Sequence, residues 1–227
     1  MAKPTDPPSE RATVRRLPAR GAYDRATIDA ILDEALYCHI GFVDDGHPYV
    51  IPTIHARVGD RLVIHGSRQS RMLLCLANGA PACVAVTILD GLVLARSTFH
   101  HSMNYRSVVV LARGRELTDA EEKQSALAAL VERVIPGRSA DARPANAREL
   151  AATAVLAFPL DECSAKIRTG PPKDDPDDLE LPIWAGVLPL SLMPGVPEPD
   201  PHVRPGVPIP DYVLRSCRTA RHNPPPE

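Results

Sequence analysis

The residues best placed to do chemistry are contiguous: His65, Gly66, Ser67, Arg68, Gln69, Ser70, Arg71 and Met72. They join the end of an apolar strand-like run to the start of a helical one, where unpaired backbone N–H groups and the helix dipole favour an anion. Two serine hydroxyls and two guanidiniums add donors, and the guanidinium fork suits a phosphate. A phosphate grip is one reading of this loop; a solvated polar loop with a serine N-cap is the other. The Walker spacing, a glycine five positions ahead of a Gly-Lys pair, is missing.

A second polar cluster, Ser97 to Arg106, lies between two apolar runs and contains Phe99, His100, His101, Ser102, Asn104 and Tyr105. Hydrogen-bonding and aromatic groups gathered in one connection hint at a ligand contact. His100 and His101 are poor joint metal ligands, because neighbours in an extended segment point to opposite faces; no metal is expected. His39, His47 and His55 sit on or beside strands and read as packed or solvated. GxSxG, HExxH and paired-carboxylate motifs are absent. A phosphate-binding loop without acid–base apparatus fits an organic cofactor that brings its own reactivity.

These clusters must be positioned by the elements around them. Ile28, Ile31, Leu32, Ala35 and Leu36 repeat at helical spacing, with Asp24 or Thr27 as N-cap. CHIGFV and PYVIPTIHARV flank Asp44-Asp45-Gly46-His47 and read as a hairpin, and RLVIH as a third strand. A short apolar helix after Arg71 ends at Asn78-Gly79 and Pro81. ACVAVTILD reads as a strand buried on both faces and broken by Gly91; LVLARS and YRSVVVLARGREL follow as further strands. Thr118 with Glu121 suggests a capping box for a helix whose buried stripe is Leu127, Leu130, Val131 and Val134. A short helix near Glu149 and two last strands, TAVLAFPL and SAKIRT, complete the pattern. Six or seven strands with three or four helices predict a mainly β, closed or partly closed antiparallel barrel with helices packed outside; parallel βαβ repetition and GxGxxG are absent.

Composition agrees with one globular unit and adds a tail. The 227 residues are 44% apolar and 24% charged, with a net charge of -2, which disfavours disorder and broad nucleic-acid binding. Neither a secretory leader nor a membrane span is legible, so a cytoplasmic location is expected. Cys38, Cys75, Cys83, Cys163 and Cys217 form an odd, irregular set that reads as reduced and structural. Of 25 prolines, 15 fall at or after Pro171. The chain therefore divides into an N-terminal arm (1–22), a barrel (23–170) and a proline-rich strap and tail (171–227), the strap docking through Trp184.

In order, HIGFVDDGHPYVIPTIHARVGDRLVIHGSRQSRML, the Asn-Gly-terminated helix, ACVAVTILDGLVLARS and HHSMNYRSVVVLARGREL resemble the pyridoxamine 5'-phosphate oxidase-like superfamily with its FMN-binding split barrel. The resemblance spans residues 26–171 and is to the branch of nitroimidazole-resistance reductases and flavin-nucleotide-binding proteins; the ending GPPKDDPDDLELPIWAGVLPL is also typical of it. It implies that Gly66, Ser67, Ser70 and Arg71 hold the FMN phosphate and that Ile51, Pro52, Thr53 and Ile54 run along the isoalloxazine edge. It places His65 near the flavin and His101, Ser102, Tyr105 and Arg106 across the interface of a homodimer. The implied function is an oxidoreductase passing electrons or hydride to a small organic acceptor. The alternative is a flavin or haem carrier, with His65, His100 or His101 as axial candidates; a deazaflavin shares the phosphate logic. Trp184 is followed by Ala-Gly-Val-Leu-Pro-Leu without arginine, unlike true pyridoxamine phosphate oxidases, so vitamin oxidation is not expected. Lys166 and Arg168 on the last strand read as outward-facing or as neutralising a phosphate or flavin anion.

Overall fold

The computed structural model describes residues 6–221, with side chains to residue 216. Expectations for residues 1–5, 222–227 and the Cys217 side chain lie outside the described residues. The fold is mainly antiparallel β with flanking helices, a split barrel whose two sheets do not close on each other.

The larger sheet has seven strands. β1 (Gly21–Ala22), β2 (Tyr37–Asp44), β3 (His47–Ile54), β6 (Pro81–Leu94), β7 (Ser102–Arg113) and β10 (Cys163–Arg168) run in the order β1-β10-β7-β6-β2-β3, and β11 (Gly186–Pro189) pairs with β6. The smaller sheet has the order β4-β5-β9-β8, from β4 (Ala56–Val58), β5 (Arg61–Ser67), β8 (Arg115–Glu116) and β9 (Thr153–Pro159). The β2–β3 hairpin turns at Asp45 and Gly46 with φ of 47° and 75°, the twist a two-residue hairpin requires. Ile40, Phe42, Val84, Val108, Ile64 and Leu156 fill the space between the sheets with Ile28, Ile31 and Leu32 of α1 (Arg25–Glu34), whose N-cap is Asp24. α2 (Arg71–Ala77) adds Met72, Leu73 and Leu76 to the same core.

Several expectations are corrected here. β6 is not buried on both faces: Ala82, Val84 and Val86 point inward, while Cys83, Thr87 and Leu89 are exposed. Gly91 does not break it either. The strand runs through a bulge between Leu89 and Gly91, which leaves Asp90 unpaired in the ladder with β7. The N-cap of α3 (Ala120–Val134) is Asp119, whose carboxylate accepts from Glu122 N at 2.8 Å, rather than Thr118. Only Leu130 of the expected α3 stripe is buried, with Ala126 and Lys123. α4 (Arg138–Asp141) and α5 (Ala147–Ala152) follow, α5 opened by a capping box between Asn146 and Glu149.

The strap docks by backbone. Gly186, Val187, Leu188 and Pro189 pair with Leu94, Val93, Leu92 and Gly91, beside the half of β6 that β2 does not reach. Trp184 is 69% exposed and is not the docking point. Residues after Pro189 run exposed to α6 (Asp211–Arg221), whose Tyr212 accepts a hydrogen bond from Arg138 Nη1 at 3.1 Å.

Candidate functional site

The loop after β5 is tied down by its own backbone. Ser70 N donates to Ser67 O at 2.9 Å, Gln69 N to Ser67 Oγ at 3.2 Å, and Arg68 N to Ala152 O at 3.1 Å. Ser70 stands at the N-cap of α2 without spending its hydroxyl on the cap. Arg71 lies over the Tyr49 ring at 3.9 Å, and Arg68 pairs with Glu116 at 2.8 Å. Gly66 stands close over Leu73; a Cβ there would come within 2.9 Å of Leu73 Cδ1. The elements thus bring Gly66, Ser67, Ser70 and Arg71 together around one turn, with Tyr49 of β3 beside them.

β3 is an edge strand paired only with β2, which suits Pro48 and Pro52 and leaves Ile51, Pro52, Thr53 and Ile54 with an open backbone edge. Ile54 meets His65 at a cavity of about 410 Å³, within the size range of cofactor sites. Alternation along β5 explains why His65 is there. Ile64 and Gly66 face the main core and Leu73, while Val63 and His65 face α3. Leu127, Leu130, Val131 and Val134 form the apolar wall opposite; of this stripe Leu130 also packs in the core with Val63 and Val155, and Leu127 lies against it. His65 Nδ1 is buried without a hydrogen-bond partner. Burial also pushes its pKa below the usual histidine value, which favours the neutral imidazole that ligates a metal centre.

Among the described residues, no hydrogen bond or ion pair joins the second cluster to this one. His101 Nδ1 lies 2.9 Å from Ser97 O, and Ser102 opens β7 opposite Val93. Arg106 is held by Asp90, through Nη2–Oδ1 at 2.7 Å, and by Glu34, through Nη2–Oε1 at 2.7 Å; these bonds raise its pKa further. Tyr105 shares the outer face with Leu89, whereas Arg106 turns toward α1. His100 Nε2 meets Asp175 Oδ2 at 3.2 Å. Arg168 is buried rather than outward-facing, donating to Asn104 Oδ1 and, at 3.2 Å, to Pro171 O where the strap begins.

Gln124, Ser139, Arg143, Glu149 and Thr153 also line the cavity and were not legible as site residues. Only Gln124 lies on α3; the others come from α4, α5, the loop between them and β9, and meet at the cavity only through the fold.

The family model for pyridoxamine 5'-phosphate oxidase matches residues 24–167. The chain belongs to this family. Among solved structures, the flavocytochrome Anf3 from Azotobacter vinelandii is 41% identical, covering 93% of this chain and 98% of that one, with a TM-score of 0.88. The FAD and heme binding protein from Mycobacterium smegmatis is 42% identical, with coverage of 87% and 97% and a TM-score of 0.83. A candidate 5-nitroimidazole antibiotic resistance protein from Bacteroides thetaiotaomicron shares the fold at 23% identity, with coverage of 65% and 86% and a TM-score of 0.54. No curated protein matches. No helix among the described residues is long and apolar enough to cross a membrane.

Proposed function

We propose that this chain is a flavin- and haem-binding redox protein that passes electrons to a small acceptor. The observation that carries the reading is His65, whose ring lines an apolar cavity while one ring nitrogen is buried and unpartnered. Two relatives above 40% identity, a flavocytochrome and an FAD and heme binding protein, support it. A neutral imidazole is one of the common axial ligands of haem iron, and His65 beside the apolar wall of Leu127, Leu130 and Val131 has that character. Flavin and haem supply the electron-transfer chemistry when bound. The protein's part is to fix their positions and keep His65 neutral.

The flavin phosphate goes to the turn of Gly66, Ser67, Ser70 and Arg71. FMN and FAD carry the same phosphate next to the ribityl chain, so this loop serves either; the relative from Mycobacterium smegmatis favours FAD. The second copy of the chain completes the flavin site in a homodimer, covering the exposed outer sheet face of Tyr37, Val50 and Leu89.

Reconstitution of the purified chain with FAD, FMN and haem tests this. The expected result is a flavin spectrum with a haem Soret band, and His65→Ala shifts or abolishes the Soret band while the flavin stays. Failure to take up either cofactor, or an unchanged Soret band in His65→Ala, overturns the corresponding half.

A further inference from the structure

One cation stands among the described residues that line the cavity, and it is braced in place. Arg143 Nη1 donates to Glu149 Oε2 at 2.9 Å and to Pro144 O at 2.8 Å, and Nη2 donates to Glu149 Oε1 at 2.7 Å. Glu149 is fixed in turn by the capping box: it accepts from Asn146 N at 2.9 Å, and its own N donates to Asn146 Oδ1 at 2.9 Å. Arg143 and the Asn146 N–H hold the Glu149 carboxyl at about 2, so the brace stays ionised at ordinary pH.

A guanidinium carries five N–H groups, and three are used. The Nε proton and the second Nη2 proton have no partner among the described residues. They form one edge of the fork, the two-point geometry that suits a carboxylate. The side chain is 66% exposed at the mouth of a cavity whose α3 wall is apolar apart from Gln124. Of the other polar groups there, the Ser139 hydroxyl is spent on Glu132 Oε2 at 2.5 Å and the Thr153 hydroxyl on Glu149 O at 2.8 Å, Gln124 carries a neutral amide, and Glu149 is itself an anion.

We propose that Arg143 is the carboxylate anchor of the cavity. The ligand class it selects is a flat apolar body with a carboxylate at the mouth end, and the partner group of His65 within. The proposal rests on the haem reading, in which a porphyrin propionate takes the open edge of Arg143. Glu149 is the positioning residue that keeps this edge turned to the ligand.

Metal-free protoporphyrin IX and its dimethyl ester separate the anchor from axial ligation, because neither needs His65. Both are titrated into the full chain, wild type and Arg143→Gln, by fluorescence, alongside haem. Wild type is expected to hold the free acid roughly tenfold or more tighter than the ester. Arg143→Gln loses that preference, keeps the ester affinity and leaves the Soret position of bound haem unchanged. Equal binding of acid and ester by wild type, or a preference that survives in Arg143→Gln, overturns the anchor. Should wild type take haem yet not discriminate, the anchor fails and the haem reading stands. Should it bind neither haem nor either porphyrin, both fall. If Arg143→Gln does not fold, the wild-type comparison of acid with ester decides alone.

Discussion

Two histidines ten residues apart show how little a residue type says without its surroundings. His55 is fully buried, its Nε2 3.0 Å from Leu32 O near the end of α1; His65 faces a cavity. Burial lowers the pKa of both, outweighing for His55 the raising effect of Leu32 O, while nearby Arg133 lowers it further and Asp33 raises it. Each is therefore easier to protonate in the unfolded chain, whose histidines titrate near 6.5. Their stabilising effect is whole above about pH 6.5 and drains away as pH falls from there to the lower folded values. Urea midpoints of the cofactor-free chain are expected to fall between pH 7.5 and pH 5, before most carboxylates titrate, and to fall less in His65→Leu. A flat profile over that interval would contradict the burial argument. The same lesson applies to Tyr105 and Arg106. Adjacent in sequence and grouped by motif, they point to opposite faces of β7, and only Tyr105 lies on the outer one.

At the level of elements, β6 is the organiser. Its inward side chains fill the main core, its bulge frees Asp90 to hold Arg106, and its far half receives the strap. Gly91 permits this last contact, since a Cβ there would sit 3.0 Å from Leu188 O and 3.1 Å from Val187 Cγ1. Gly91→Val should push β11 off the sheet while the barrel stays folded. Amide exchange at residues 186–189 is expected to speed up, and the fluorescence anisotropy of Trp184, the single tryptophan, to fall. Unchanged protection of those amides would show that the strap is held by something other than the ladder.

For the whole molecule, the proposed homodimer is tested at the outer face of the larger sheet. Tyr37 is 54%, Val50 68% and Leu89 40% exposed on that face, and the proposed homodimer would cover them. Sedimentation is expected to give twice the 24.6 kDa chain mass. Tyr37→Glu combined with Val50→Glu should yield a folded monomer that binds flavin weakly. A wild-type monomer with full flavin affinity would remove the homodimer from the proposed site.

Much of the architecture was legible because it is local. Asp45-Gly46 turns a hairpin between these strands, Asn78-Gly79 ends a helix, and Asp24 caps one by a hydrogen bond to the backbone three residues on. The loop of Gly66 to Arg71 was visible for the same reason, since its donors are neighbours in the chain. What only the tertiary structure decided were relations between distant segments. Periodicity marked Leu127 and Val131 as one apolar face but could not say that a cavity, rather than packed side chains, lies against it. Nor could it place His65 on the α3 side of β5, pair Arg143 with Glu149 at the mouth, or seat the strap on β6 instead of on Trp184. A sequence pattern records that a side chain avoids water or carries a charge; which groups meet it is settled only when the two sheets and their helices close in three dimensions.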